Sequence, residues 1–282
     1  MVDSGPHTLL WRHAGDARLL NTAGWALVLQ VSHPTVGAGV REHSNYASDP
    51  WGRLLRTLDF VYLMTYGGPD AAVATGHNVR EMHKRIKGVA PDGRRYHALE
   101  PEAYAWVHAT LFEGIVVGHR RFIGPLGDRT AEGLYAEWRE GGKLLGIRDA
   151  DMPTDWRAFR AYFDGMVEER LEDNDVVHGV LTVLSRPQPP PIPALARAGW
   201  GLARLPLGRI QALATVGLLP PLLRERFGLR WTRSQELELR ALAAGSRAAS
   251  PLMPKTLRQF GPTYLDWRRD AIEAGGMAAG PA

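Results

Sequence analysis

Three residues within one turn of a helix, and a fourth on the helix that follows, are the ones whose types and spacing could do chemistry. In the stretch WGRLLRTLDFVYLMTYGGPDAAVATGHNVREMHKRIKG, Leu54, Leu55, Leu58, Val61 and Tyr62 recur at helical spacing, and Arg53, Arg56 and Thr57 share a neighbouring flank. After a Tyr-Gly-Gly-Pro-Asp break, Val79, Met82 and Ile86 form a second apolar stripe. His83 lies four residues after Val79 and three before Ile86, so its imidazole points with the stripe. Two guanidinium groups and a hydroxyl facing inward, followed by an inward imidazole, are the parts of a haem pocket. The imidazole would supply an axial ligand, and the guanidinium groups would pair with propionates or polarise dioxygen. A histidine on an apolar face is equally what a packed core residue looks like, and both readings stand at this point.

The elements that must position these residues read as helices throughout. Ala17 to Val31 is apolar on nearly all sides and is expected as one buried helix ended by His33-Pro34, because proline lacks a backbone donor and restrains the residue before it. GVREHSNYASDP reads as a polar stretch carrying His43, with Ser48 or Asp49 capping the Trp51 helix and Pro50 in its first turn. VAPDGRRYHALEP is turn chemistry. A long helix starts near Pro101 with Tyr104, Val107, His108, Leu111, Phe112, Ile115, His119 and Phe122 on one face. His108 is therefore a second inward histidine, open to three readings: iron ligand, pocket hydrogen-bond donor, or core residue bonded to a carbonyl.

Thr130 to Leu145 and Trp156 to Leu171 are amphipathic helices, and Val176 to Leu184 adds a short one before the linker SRPQPPPIP. Beyond it, apolar pieces alternate with glycine and proline. They would pack on the core, cover a hydrophobic channel or rest on a membrane surface, with Pro206, Pro220 and Pro221 expected to prevent one long amphipathic face. Helices at Ser234 to Ala244 and Pro254 to Ile272 close the chain, and a frayed Gly- and Ala-rich tail is expected. No stretch alternates as a strand would, so the class is all-α.

Composition narrows the chemistry. The 282 residues are 45% apolar, enough for a real core, and the net charge is +4 with arginines scattered among acidic residues. No basic tract argues for a nucleic-acid partner. There are no cysteines, which excludes disulfides, thiolate catalysis, iron-sulfur clusters and Cys-based zinc sites. No Glu-x-x-His pair on two helices suggests a di-iron bundle, and no His-Glu-x-x-His suggests a zinc hydrolase. The N-terminus lacks the pattern of a secretory signal, so a cytoplasmic protein is expected, with membrane association of the C-terminal third as the open point.

SHPTVGAGVREHSNYASDPWGRLLRT, VREMHKRIKG, YAWVHATL and GLYAEWREGGKLLGI, in that order, resemble the MpaB/rubber-oxygenase (latex clearing protein-like) family over roughly residues 8 to 270. The resemblance implies a globin-like helical core with additional C-terminal helices, haem b, and an oxygenase or oxidoreductase that uses dioxygen on an apolar, isoprenoid or lipid-like substrate. It implies a haem-binding core over residues 1–185, with the linker and helices of 186–282 packed on it. The family's Arg-x-x-Lys-Thr element looks like Arg53, Arg56 and Thr57, and its inward histidine looks like His83. His83 would then be the proximal iron ligand, with His108 as its rival or as a hydrogen-bonding pocket residue. Arg56 stands where the rubber-cleaving members carry a lysine, and a guanidinium that stays protonated is a poor iron ligand. Two other classes remain beside this expectation: a haem-binding sensor or carrier without turnover, and a haem-free helical protein that holds an apolar ligand.

Overall fold

The structure is a computed structural model and describes residues 5–189 and 199–273. Helices α1 (Leu9–His13), α2 (Ala23–Val31), α3 (Pro34–His43), α4 (Pro50–Tyr66) and α5 (Pro69–His83) are followed by a hairpin of β1 (Lys87–Val89) and β2 (Arg95–His97). Then come α6 (Pro101–Gly118), α7 (Asp128–Leu144), α8 (Trp156–Glu169) and α9 (Asp175–Ser185). After the linker follow α10 (Trp200–Leu218), α11 (Pro221–Arg226), α12 (Arg233–Ala248), α13 (Lys255–Arg258) and α14 (Phe260–Glu273). The class is all-α, as the periodicity requires.

Helix starts follow the capping chemistry of the sequence. Asp49 accepts from the Gly52 amide with Pro50 in the first turn of α4, and Asp155 accepts from the Ala158 amide to start α8. Asn174 accepts from Val176 and Val177, while its Nδ2 donates to the Val31 carbonyl at 2.9 Å and locks α9 to the end of α2. Thr232 and Gln235 form a reciprocal capping box at the head of α12. Gly68, at φ 85°, makes the turn between α4 and α5 that a residue with a Cβ would strain.

The core is built around α2, whose Trp25, Val28, Leu29 and Val31 are almost wholly buried. Trp106 of α6 donates its indole N–H to the Leu29 carbonyl at 2.9 Å, so the largest side chain at this contact also satisfies its polar atom. Gly24 admits α10 so closely that a Cβ there would fall 2.3 Å from Thr215 Oγ1. Phe112, Tyr135, Phe159 and Phe163 continue the core between α6, α7 and α8. Each fully buried side chain of this size contributes about 1.5–3 kcal/mol relative to exposure. Of the C-terminal helices, α12 packs Leu239 and Ala243 against Phe122, and α14 packs Tyr264 against Tyr62 and Tyr66 of α4.

Five local expectations are corrected. Ala17 to Val31 is not one helix: Asp16 accepts from the Arg18 amide and its guanidinium, and this tightens Ala17–Thr22 into a 3-10 turn before α2 begins. His43 is the last residue of α3 rather than part of a loop, and its Nε2 lies 3.1 Å from the Tyr96 hydroxyl. A small antiparallel hairpin, with Gly88 opposite Tyr96, stands where only turns were read. α5 ends at His83, so Ile86 lies beyond it and Met82 is exposed at 54%; Val79 alone of that stripe accompanies His83 inward. α10 runs unbroken through Pro206, which is exposed in the N-terminal half of the helix and gives up one backbone hydrogen bond there. The centre of the proline-rich linker, residues 190–198, and the tail, residues 274–282, lie outside the described residues.

Candidate functional site

α4 and α5 pack on each other across the Gly67–Gly68 turn, α7 packs on α5, and Tyr104 and Ala105 of α6 reach the apolar residues between them. Phe60 and Met64 of α4, Val79 of α5 and Tyr104 of α6 form a half-buried apolar wall packed on Ala105, Leu145, Ile147 and Met152. Arg53 lies on the same flank of α4, at helical spacing from Phe60 and Met64.

Arg53 is the one cation of the trio that turns inward. Its Nη1 donates to Ser44 Oγ at 2.5 Å, and no carboxylate pairs with it among the described residues. Burial and the neighbouring Arg56 charge both push its pKa down. A guanidinium does not lose its proton under these conditions, so the strain is electrostatic: a positive charge is held against an apolar wall without its counter-charge. The other two residues do not face inward as the spacing suggested. Arg56 is exposed and donates to Asn45 Oδ1 at 3.0 Å and Asp49 Oδ2 at 3.4 Å. Thr57 is exposed, with its hydroxyl donating to the Arg53 carbonyl at 3.0 Å. The polar turn before α4 draws Arg56 outward, and a helix carbonyl four residues back satisfies Thr57.

His83, the last residue of α5, sets its Nδ1 2.7 Å from the Val79 carbonyl. A carbonyl only accepts, so Nδ1 carries the proton and Nε2 keeps its lone pair. Burial lowers the pKa of this imidazole, the Val79 hydrogen bond opposes that, and the Arg53 charge lowers it further. The neutral, ligating form is therefore favoured. Its ring lies edge-on to Tyr104, centroids 5.6 Å apart. The Tyr104 hydroxyl is buried without a hydrogen-bond partner, and burial pushes its pKa up to about 12, so it stands protonated as an unused donor. Imidazole and phenol thus meet at the apolar wall, within reach of the Arg53 charge, and the His83 Nε2 and the Tyr104 hydroxyl keep bonding capacity that the chain leaves unspent.

His108 sits one turn beyond Tyr104 in a different environment. Its ring stacks on Trp138 with centroids 4.7 Å apart, and its Nε2 lies 3.1 Å from the Trp138 carbonyl. The Trp138 indole N–H donates back to the His108 carbonyl at 3.2 Å. Burial pushes its pKa down to about 4. The cavity beside it, lined by Ala105, Tyr135, Trp138, Met152 and Tyr162, has about 10 Å³, the room of one water.

Two features escaped the sequence reading. Tyr104 was visible only as one member of the α6 stripe, and nothing in its spacing marks its hydroxyl as unpartnered. Ser44 and Asn45, which hold Arg53 and Arg56, sit in a polar turn whose composition gives no such signal. Among the described residues no three His, Asp or Glu side chains come together as a metal cluster, so a metal held here would bring most of its own ligands.

Comparison with known proteins bears on the family of the chain. Two uncharacterized mycobacterial proteins, Mb2261 of Mycobacterium bovis and Rv2237 of Mycobacterium tuberculosis, are each 27% identical over 235 residues, covering 81% of this chain and 87% of theirs. No solved structure matches the chain. The family described as the ER-bound oxygenase mpaB/B′ and rubber oxygenase catalytic domain matches residues 11–248, spanning every helix of the site. The chain belongs to the mpaB and rubber-oxygenase catalytic-domain family.

Proposed function

We propose that this protein is a haem b oxygenase that acts with dioxygen on an apolar, isoprenoid or lipid-like alkene. The observation that carries the reading is the pairing of a neutral His83, with Nε2 free, and a half-buried Arg53 that lacks a carboxylate among the described residues. The residues fit the group. A metal-ligating histidine characteristically donates its other ring N–H to a carbonyl, which fixes tautomer and ring plane, and His83 does so before any metal is considered. A haem carries two propionates, and Arg53 is a cation in need of one.

When bound, haem b supplies the one-electron and dioxygen chemistry that no side chain here provides. His83 Nε2 would hold its iron and Arg53 would pair with a propionate, while Arg56 and Thr57, turned outward onto Asn45, Asp49 and the Arg53 carbonyl, stay outside the pocket. Arg56 remains protonated and is not a ligand. Phe60, Met64 and Val79 exclude water and suit a hydrocarbon chain. The Tyr104 hydroxyl holds a proton at the wall, beside the His83 ring. His108, engaged with Trp138, supports α6 against α7 from behind.

The ultraviolet-visible spectrum of the purified protein tests this. A Soret band is expected in the wild type and in His108→Ala, with haem affinity lowered roughly 100-fold or more in His83→Ala. A band lost only in His108→Ala would move the ligand to that residue. No band after haem supplementation would overturn the oxygenase reading. A loaded protein that consumes no dioxygen with any isoprenoid or unsaturated lipid would leave a haem carrier.

A further inference from the structure

The two halves of α10 have opposite environments. Leu213, Ala214, Thr215 and Gly217 are buried against the body of the protein. In residues 200–210 only Gly208 is buried, against the Ser185 carbonyl, while Leu202 is 87%, Leu205 63%, Leu207 47% and Ile210 36% exposed. Four large aliphatic side chains within nine residues, exposed around the axis and not along one stripe, are not the surface of a soluble helix. At 1.5 Å per residue this end extends about 16 Å, half of what a spanning helix needs.

Charge says what covers it. From Val176 to Arg224 the sequence holds no aspartate or glutamate and five arginines: Arg186, Arg197, Arg204, Arg209 and Arg224. Two of these are used internally. Arg224 donates to the Gly217 and Leu219 carbonyls, and Arg209 pairs with Glu238 at 2.6 Å. Arg204, between the exposed leucines, and Arg186 at the end of α9 are exposed and have no acidic partner among the described residues. Trp200 at the head of this stretch meets Trp51 edge-on, centroids 6.4 Å apart, and Trp51 donates to the Gln188 carbonyl at 2.9 Å. The indole pair fixes the head of α10 to α4, and the exposed leucines with unpaired arginines among them suit a lipid headgroup region.

We propose that residues 200–210 form a peripheral anchor that inserts into the headgroup region of an anionic phospholipid bilayer. The anchor does not depend on the cofactor. One consequence does rest on the oxygenase reading above: Trp51 is two residues before Arg53 on α4, so a lipid-soluble substrate leaving the bilayer at the anchor reaches the candidate site along one helix.

Cosedimentation of the full chain, without added haem, with vesicles of phosphatidylcholine alone and of phosphatidylcholine mixed with phosphatidylglycerol tests the anchor. Binding to the mixed vesicles is expected, weaker to the neutral ones and weaker at high salt. The double variant Leu202→Glu/Leu205→Glu should bind about tenfold less or worse, and Arg204→Gln roughly fivefold less. Leu252→Glu, at an equally exposed leucine (86%) elsewhere, should bind as wild type. Melting temperatures should match throughout, since none of these side chains is packed. Absence of vesicle binding, equal loss in Leu252→Glu, or a lowered melting temperature in the double variant would each overturn the proposal. A dimer that the double variant dissolves while vesicle binding persists would do the same, by assigning the face to a second copy of this chain.

Discussion

Arg53 is half-buried with a serine hydroxyl as its acceptor and no carboxylate among the described residues, and that position is the ground on which it is proposed to meet a ligand. A guanidinium moved from water to an apolar wall with only a serine hydroxyl for company loses hydration that no ion pair restores. Residues kept at such expense are usually kept for a ligand. Arg53→Met, which keeps the side chain's length and removes the charge, should therefore leave the haem-free protein as stable or more stable by about 1 kcal/mol. The same change should weaken haem binding roughly tenfold. Urea unfolding and haem titration of one protein sample read both numbers. A destabilised variant would show Arg53 to be an ordinary structural residue. The inward position of Arg53 could be read from helical spacing with its apolar neighbours; the outward turn of Arg56 could not, because Asn45 and Asp49 set it from a turn with no periodicity.

At the scale of elements, α4 carries Arg53 of the proposed site and is held from outside by α14. The Asp59 carboxylate accepts from Arg268 at 2.9 and 3.0 Å and from the Tyr264 hydroxyl at 2.7 Å. Arg268 is only 7% exposed, so Asp59→Asn removes the charge that its guanidinium meets at 2.9 and 3.0 Å and should cost about 3 kcal/mol. Hydrogen exchange should rise in both Pro50–Tyr66 and Phe260–Glu273, and haem affinity should fall with it. Exchange confined to α14 would mean that α4 stands without this clamp. No local signal joins residues 209 positions apart, which is why the long α14 was legible and its partner was not. α3 was hidden for a different reason. Gly39 opens the stretch that reads as polar loop, and Gly37 precedes it; a Cβ at Gly37 would meet the Val31 carbonyl at 2.6 Å, so close packing selects glycine inside this helix. The hairpin escaped because strands of three residues are too short to show alternation.

At the scale of the whole molecule, burial of histidines dominates the response to acid. His13, His33, His83, His108 and His119 all have pKa values lowered, in each case chiefly by burial, and His108 is pushed down to about 4. Above pH ~6.5 folded and unfolded chains both carry these rings neutral, and they contribute nothing to the pH dependence. As pH falls below that, the unfolded chain takes up protons first and stability declines until the folded rings protonate. For His108 the window runs from about 6.5 to about 4 and the loss is about 3 kcal/mol, on the scale of 1.36 kcal/mol per pH unit. Glu113 acts in the other direction, because burial raises its pKa and the folded chain then binds a proton before the unfolded one does. The five imidazoles, joined at the acid end by carboxylates that cationic partners hold low, such as Asp151 and Asp175, outweigh this one carboxyl and leave the decline in place. Urea midpoints measured from pH 7 to pH 4 should fall steadily, and His108→Gln should flatten part of that slope while lowering the plateau. A wild-type midpoint that stays level across the window would mean that these rings are solvated in the folded protein, and the packing of α6 against Trp138 and its neighbours would have to be redrawn.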